Sequence, residues 1–188
     1  RVGLLDADIY GPSIPHMLGL EPTSPETRPD EKGQLRIIPF DRHGVKVMSM
    51  GFLVERDKAV IWRGPMIHGA LRQFFFEVEW GELDYLVVDL PPGTGDAQLT
   101  MAQQVKTTGA VVVTTPQDVA MLDARKALAM FETTNVPVLG IVENMSGFAC
   151  PSCGHESHIF GQDGGKRWAD EKKLRFLGHV PIDLTIRE

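Results

Sequence analysis

The chain has 188 residues, a net charge of −6 at pH 7 and a sequence pI of about 5.5. This length suits one globular domain, and a content of 43% hydrophobic and 23% charged residues is typical of a globular chain. The acidic balance argues against a nucleic-acid-binding surface, which would need a basic stripe. No apolar run approaches the roughly 20 residues of a membrane helix. We therefore expect neither a nucleic acid nor a membrane as a partner.

The chain opens on RVGLLDADIYG, a pattern typical of a strand in progress. It does not resemble a signal peptide, because a basic leader is missing and acidic residues follow at once. The first residue is Arg1 rather than Met, and the last residues, Arg187 and Glu188, follow no closing helix. We expect both ends of the chain to be incomplete.

Continuous apolar runs predict buried strands of a parallel sheet, because they do not alternate with polar residues. In chain order these runs are 2–6, 45–50, 85–90, 110–115, 138–142 and 176–180. The segment 21–41, rich in proline and charge, is expected to be a surface excursion.

Helices are predicted between most of these strands, over 65–77, from 118 to the residue before Asn135, and over 163–172. Asp118 is expected to cap the second helix. The buried face of that helix is expected to comprise Met121, Ala124, Leu128 and Phe131. Strands that alternate with helices predict an α/β fold, with a mostly parallel sheet flanked by helices.

Two of the predicted strands end in aspartate. The first ends at Asp6 and Asp8, and the strand over 85–90 carries Asp89 in front of the loop Pro-Pro-Gly-Thr-Gly. Ligands of open parallel sheets bind beyond the carboxyl ends of the strands. A carboxylate held there suits Mg²⁺, which prefers oxygen ligands, in a phosphoryl-transfer site. The alternative is that these aspartates only cap turns.

Only two cysteines occur, Cys150 and Cys153, and they form a Cys-x-x-Cys pair. So few cysteines favour a reducing, cytoplasmic compartment, where such a pair binds metal or is redox-active. Soft thiolates select zinc or iron–sulfur clusters. His155 and His158 would complete a zinc site, which the spacing alone slightly favours. Alternatively, a second chain supplies its own pair to a bridged [4Fe–4S] cluster.

Several segments together resemble the Mrp/ApbC family of iron–sulfur cluster carriers. They are LLDADIYGPSIP, MSMGFL, WRGPM, LDYLVVDLPPGTGD, TTPQDVAMLDARK, VPVLGIVENMS and CPSC with IFG, in order along nearly the whole chain. This family belongs, with MinD, to the deviant Walker A group of P-loop ATPases. The resemblance implies a MinD-like three-layer P-loop NTPase fold. Residues 1–188 would form a single partial domain with its Cys-x-x-Cys segment at 144–160.

The resemblance also implies roles for the aspartates. Asp8 matches the switch I aspartate that positions or activates the attacking water, and Asp6 beside it is expected to support the metal site. Asp89 matches the Walker B position on Mg²⁺, and Gly93 lies in switch II. The family's phosphate-binding loop, Gly-Lys-Gly-Gly-x-Gly-Lys-Ser/Thr, does not occur in this sequence. The chain as given is therefore expected to be inactive, although the whole protein would be a weak ATPase.

Three further residues take expectations from the resemblance. Asn144 matches an adenine-binding asparagine, whose amide can donate to and accept from the adenine edge; the alternative is a turn residue before Ser146. Pro181 resembles a proline whose neighbouring backbone borders the adenine. Arg63 would contact phosphate or a partner subunit, or else form a surface ion pair.

The function implied is an ATP-dependent carrier that shares a [4Fe–4S] cluster between Cys150 and Cys153 of two copies. Its cofactors would be ATP and Mg²⁺, and its partners a second copy and the apo iron–sulfur proteins that receive the cluster. One alternative is a MinD- or ParA-like ATPase with a structural zinc. Another is a zinc-knuckle interaction module, which would leave Asp8, Asp89 and Asn144 unexplained.

Overall fold

The structure is a computed structural model that describes residues 1–21, 23–53 and 64–186. It divides into two compact units, Arg1–Gln104 and Val105–Glu188. None of the described helices is long and apolar enough to cross a membrane. Arg63, for which a phosphate or partner contact is expected, lies outside the described residues.

The first unit contains six strands and three α-helices among its described residues. In chain order they are β1 (Val2–Asp6), α1 (Ile14–Met17), β2 (Thr27–Pro29), β3 (Leu35–Ile37), β4 (Phe40–Arg42), β5 (Val45–Ser49), α2 (Gly64–Phe76), β6 (Tyr85–Asp89) and α3 (Asp96–Gln104). The main sheet has the order β4-β5-β1-β6, in which β1 runs parallel to both β5 and β6. The short strand β4 is antiparallel to β5, and β2 and β3 form a separate antiparallel pair.

Helix α2 supplies much of the core of this unit. Its buried residues are Ile67, Ala70, Leu71 and Phe74, at the spacing of one helical face. They belong to one apolar cluster with Leu5 of β1 and Met48 of β5, both of which are fully buried. The central strand β1 is thereby held rigidly, and its carboxyl end has a fixed position in the unit.

The second unit contains four strands and two α-helices among its described residues. They are β7 (Ala110–Thr114), α4 (Asp118–Thr133), β8 (Val138–Ala149), β9 (Glu156–Ser157), α5 (Gly164–Lys172) and β10 (Phe176–Ile182). The sheet has the order β10-β8-β7, and all three strands are parallel. The two-residue strand β9 is antiparallel to the far end of β8.

The predicted α/β class and all six predicted strands are confirmed, but one strand is much longer than expected. The run 138–142 predicted only the start of β8, which continues to Ala149. The extension has a polar sequence, and its far end is paired with β9 instead of being buried as an apolar run. Asn144 consequently lies within a strand, so its alternative interpretation as a turn residue is wrong.

The predicted cap of α4 is also wrong by one residue. Gln117, which has an extended backbone, is the N-cap, and its side chain makes no capping hydrogen bond. Asp118 is already helical. From the first turn, its carboxylate interacts favourably with the positive end of the helix dipole. The predicted buried face of the helix is confirmed. Within the segment expected to be a surface excursion, the chain forms the β2–β3 pair. All of β2 is exposed, whereas β3 is partly buried.

Candidate functional site

The two aspartate-ended strands are neighbours in the sheet. Strands β1 and β6 pair in parallel with Asp6 opposite Asp89. The Ala7 N–H donates to the Asp89 carbonyl at 2.8 Å, which extends the pairing one residue beyond β1. Parallel neighbours end at the same edge of a sheet, where ligands of open α/β sheets bind. The structure therefore brings Asp6, Asp8 and Asp89 together, as the sequence predicts.

Asp6 is fully buried, and its carboxylate accepts three hydrogen bonds. The Ser49 hydroxyl donates to Oδ2 at 2.9 Å and the Ile14 N–H donates to the same oxygen at 3.2 Å, while the Asp8 N–H donates to Oδ1 at 3.1 Å. Burial raises the pKa of Asp6, and the charge of Asp89 adds to the rise, whereas these hydrogen bonds oppose it. Two of the three donors, the N–H groups of Asp8 and Ile14, belong to the chain that follows β1. This carboxylate therefore positions the loop that carries Asp8.

Asp8 holds its own loop and leaves one carboxylate oxygen free. Its Oδ1 accepts hydrogen bonds from the Tyr10 N–H at 3.0 Å and the Gly11 N–H at 3.1 Å. In the part of the chain that the structure describes, Oδ2 has no hydrogen-bond donor. A half-buried carboxylate fixed through one oxygen can use the other to accept a proton or to orient a water molecule.

Asp89 is exposed at the end of β6, and no donor among the described residues binds its carboxylate. Partial burial raises its pKa, and the negative charge of Asp8 raises it further. Two carboxylates that repel each other at a sheet edge are stabilised by a cation between or beside them. The residues therefore fit a divalent cation such as Mg²⁺, with Asp89 as the carboxylate free to bind it.

Two residues shape the loop after Asp89: Gly93, and Gln98, which was not predicted from the sequence. Gly93 has a φ of 93°, a region that side chains other than glycine rarely adopt, and an added Cβ would meet no atom within 4 Å. The buried amide of Gln98 donates from Nε2 to the Pro91 carbonyl at 2.6 Å. Gln98 was missed because its short helix, α3, has too weak an apolar periodicity to be predicted.

The cysteine pair lies on a tight turn between β8 and β9. The Cys150 N–H donates to the His155 carbonyl at 2.9 Å, and the Gly154 N–H donates to the Cys150 carbonyl at 2.8 Å. Cys153 is exposed and Cys150 is partly exposed. The pKa of the Cys150 thiol lies below its usual range because the N–H of Ser152, and then that of Cys153, donates to its sulfur. The turn thus stabilises the thiolate that a metal or a cluster requires.

The two histidines near this turn do not complete a preformed zinc site. In the described residues, no three ligand atoms of the set Cys150, Cys153, His155 and His158 lie within 4.8 Å of one another. The Nδ1 atom of His158 lies 3.0 Å from the Ser146 carbonyl, so this ring contacts the β8 backbone. That Cys150 and Cys153 are the ligands of this turn stays a prediction.

The predicted adenine residues lie on neighbouring strands of the second unit. Strand β10 pairs with β8 so that Val180 is opposite Asn144, which places Pro181 next to it. The Asn144 side-chain oxygen accepts the Met145 N–H at 2.9 Å, so its NH₂ group is left to donate. That Asn144 and Pro181 share a nucleotide with the aspartates of the first unit stays a prediction.

The raised pKa of Asp89 yields a prediction for stability. A folded-state pKa above the ordinary 3.8 means that the folded chain holds this proton more tightly than the unfolded chain. The ionised form therefore lowers the free energy of unfolding, fully above the raised pKa and not at all below 3.8. We expect Asp89→Asn to stabilise the metal-free chain at pH 7 by up to about 1 kcal/mol, the scale of a solvent-screened interaction.

Urea denaturation at a series of pH values measures this effect. The difference between Asp89→Asn and the parent should vanish as the pH falls toward 3.8. Asp41→Asn, at an exposed aspartate of β4, is the matched control for the loss of a surface carboxylate. A gain that persists unchanged in acid would contradict the assigned cause.

The lowered pKa of Cys150 yields a prediction for reactivity. In a Cys153→Ser variant the thiol of Cys150 keeps its backbone N–H donors, so alkylation by iodoacetamide should reach half its maximal rate below pH 9.0, the ordinary thiol value. Mass spectrometry of timed samples measures the rate. The same variant unfolded in urea is the control, and it should regain the profile of an ordinary thiol. Identical folded and unfolded profiles would show that the turn does not lower the pKa.

The whole chain is similar to known proteins. A family model described as ParA, NUBPL iron-transfer P-loop NTPase, matches residues 1–188. An iron–sulfur cluster carrier protein of Haemophilus influenzae is 55% identical over 188 residues, which are 100% of this chain and 50% of that protein. An Arabidopsis thaliana iron–sulfur protein required for NADH dehydrogenase, mitochondrial, is 50% identical over 100% of this chain and 58% of that protein. The chain thus spans about half the length of these relatives.

Solved structures agree with this assignment. A nucleotide-binding protein from Archaeoglobus fulgidus, in complex with ADP and with cobalt, has a TM-score of 0.81 and 43% identity, covering 100% of this chain and 71% of that one. The septum site-determining protein MinD from Pyrococcus horikoshii, with Mg-ADP, has a TM-score of 0.58 at 17% identity, covering 100% and 71%, and supports the fold alone. The MinD-like fold and the resemblance inferred from the sequence are confirmed. The chain belongs to the family of NUBPL iron-transfer P-loop NTPases.

Proposed function

We propose that the protein is an ATP-dependent carrier that holds a [4Fe–4S] cluster between two copies and transfers it to apoproteins. The observation that carries this proposal is the turn of Cys150 and Cys153. It presents two thiols at the surface, one of them stabilised as thiolate by backbone N–H groups. The cluster is the cargo of this site.

The number of ligands points to a dimer. A [4Fe–4S] cluster is held by four thiolates, and the sequence has only Cys150 and Cys153. A second copy supplies the other two when a two-fold axis passes through the cluster, because an isologous interface presents the same patch twice. An exposed turn suits this arrangement, since it can meet its copy without rearrangement of the core.

The exposure of the cysteine turn also supports release of the cluster. Buried clusters are protected by the protein around them, whereas a cargo must be reached by the thiols of a recipient. Cys153 is exposed, and the turn is closed by hydrogen bonds between its own backbone groups. The names of the Haemophilus and Arabidopsis relatives, a cluster carrier and an iron–sulfur protein, agree with cluster transfer.

The nucleotide part of the proposal relies on the aspartates. Asp89, exposed and unpaired among the described residues, binds Mg²⁺, and the free oxygen of Asp8 orients the attacking water. Asp6 supports this metal site by holding the Asp8 loop. Gly93 lets the following loop change conformation when the terminal phosphate leaves. The Archaeoglobus relative was solved with ADP, which supports a nucleotide in this family.

The adenine would be bound by the second unit, with Asn144 donating its NH₂ group and the backbone near Pro181 alongside. The sequence has no loop of the type Gly-Lys-Gly-Gly-x-Gly-Lys-Ser/Thr, so none of its residues is assigned to the phosphate cradle. Recipients are apo iron–sulfur proteins. A cytoplasmic location stays a prediction, and the mitochondrial name of the Arabidopsis relative makes the mitochondrion a second reducing compartment to test.

Anaerobic reconstitution tests the cluster. With iron and sulfide, the parent should bind one [4Fe–4S] cluster per two chains and become a dimer, as followed by iron and sulfide analysis and by mass in solution. Cys150→Ser or Cys153→Ser should abolish binding, because each removes two of the four ligands from the symmetric dimer.

His155→Ala and His158→Ala are the matched controls and should retain the cluster. A monomer that carries a full cluster would refute the bridged arrangement. Tightly bound zinc that is lost in both histidine variants would favour the alternative of a MinD- or ParA-like ATPase with a structural zinc.

ATP hydrolysis tests the aspartates, in a longer form of the protein that includes a phosphate-binding loop. Asp89→Asn should weaken the Mg²⁺-dependent part of ATP binding, because a neutral amide is a poorer ligand for Mg²⁺. Asp8→Asn should instead lower kcat by about 10²-fold or more while binding persists, since loss of a positioned acid–base group costs about that much. Calorimetry and phosphate release separate the two effects.

The chain printed here is the reference for that experiment and should bind ATP weakly or not at all. Asp41→Asn in the longer form controls for loss of a surface charge and should hydrolyse ATP at the parental rate. If Asp8→Asn and Asp89→Asn also do so, the two aspartates do not form the hydrolytic site.

A further inference from the structure

A second group of candidate ligands lies in the second unit and includes neither cysteine. Glu143 of β8, Asp163 before α5 and His179 of β10 each direct one ligand atom to a common point, where all three atoms lie within 4.8 Å of one another. In the described part of the chain this is the one group of three such ligands that converges. The roles proposed above for the nucleotide and the cluster do not use it.

Two distances within this group are close to those of a coordination shell, and the third, between the Glu143 and Asp163 oxygens, is within 4.8 Å. His179 Nε2 lies 3.1 Å from an Asp163 oxygen and 3.5 Å from Glu143 Oε1. Ligands about 2.1 Å from a common ion are about 3.0 Å apart in an octahedral site and about 3.4 Å apart in a tetrahedral one. An ion can therefore sit between the three atoms with little movement of the side chains.

Glu143 provides an independent indication of a cation. Its side chain is fully buried, and while Oε2 accepts the Gly165 N–H, Oε1 has no hydrogen-bond partner within the described residues. A buried carboxylate oxygen without a partner is costly. Oε1 is also the atom that faces His179 Nε2, so the unpaired oxygen points into the cluster.

The framework around the cluster is rigid. Glu143 and His179 are directly opposite each other in the paired strands β8 and β10. The ring of His179 packs edge-on against Phe176 at 4.8 Å, which restricts its orientation. Asp163, the N-cap of α5, has a φ of 56°. Glycine fits at position 165 because a Cβ there would approach Glu143 Oε2 to 3.1 Å. Three different elements thus hold the three ligands.

From these observations we infer that Glu143, Asp163 and His179 form a binding site for a divalent transition-metal ion. Two carboxylates and one imidazole suit Zn²⁺ and its first-row neighbours better than Mg²⁺, which rarely takes imidazole. Asp163 and His179 are partly exposed, so water can complete the shell on that side. The ion would tie α5 to β8 and β10, and it would bind the folded chain only.

Zn²⁺ is the probe for this site. The experiment uses tag-free chain that carries Cys150→Ser and Cys153→Ser, so that thiolates contribute nothing. Calorimetry should find one Zn²⁺ per chain, and millimolar Mg²⁺ should not displace it. His179→Ala and Asp163→Asn should each weaken binding more than about tenfold, since loss of even an outer-shell partner costs that much. Asparagine tolerates the positive φ of position 163, so this variant should fold.

His155→Ala in the same background is the matched control and should bind Zn²⁺ as its parent does. Two further measurements keep the result independent of folding defects. Zn²⁺ should raise the Tm of the parent but not of Asp163→Asn, and it should shift the NMR signals of the His179 ring. The absence of Zn²⁺ binding, or binding that survives His179→Ala and Asp163→Asn, would refute the site. Binding lost in His155→Ala would place the ion at the cysteine turn instead.

Discussion

The buried carboxylate of Asp6 is the interaction on which the first unit depends. An ionised group without access to water is tolerated only if hydrogen bonds replace the lost solvation. Asp6 receives them from Ser49 on the neighbouring strand, from the start of α1 at Ile14 and from the Asp8 N–H. These three donors fasten the loop after β1 to the sheet edge. The position of Asp8, and hence of the free oxygen proposed to orient water, follows from the burial of its neighbour.

The second unit also contains a fully buried carboxylate, but only one of its two oxygens accepts a hydrogen bond among the described residues. Glu143 is a fully buried carboxylate in the central strand β8, and its Oε2 anchors the start of α5 through the Gly165 N–H. Asp6 has protein donors on both oxygens, whereas Glu143 has one on Oε2 and none, among the described residues, on Oε1. A buried carboxylate oxygen without a donor is costly, and the unsatisfied oxygen lies where an imidazole and a second carboxylate converge.

Much of this arrangement could be predicted from local sequence, and the rest could not for physical reasons. The strands ending in Asp6 and Asp89 were predictable because continuous apolar runs identify buried parallel strands. Ser49 was not, because its role depends on the register that places it opposite Asp6. The cluster of Glu143, Asp163 and His179 was missed for the same reason, since Glu143 and His179 meet only through the pairing of β8 with β10, and Asp163 joins them as the N-cap of α5. The cysteine pair could be predicted because Cys150 and Cys153 form one short motif in the sequence.

The two kinds of site differ in how firmly the fold holds them, and the difference matches their proposed work. Asp6 and Asp8 lie at the end of the central strand β1 over a packed core, and Asp89 ends the neighbouring strand β6. Hydrolysis requires groups that are held in fixed positions relative to the phosphate. The cysteines lie beyond the far end of β8, on a turn whose backbone closes on itself through Cys150, His155 and Gly154. Such a turn keeps its shape when the sulfurs carry no cluster, since the hydrogen bonds that close it join backbone groups and the N–H groups of Ser152 and Cys153 bind the Cys150 sulfur. A carrier needs that property, because its fold must survive the loss of the cargo that its ligands hold.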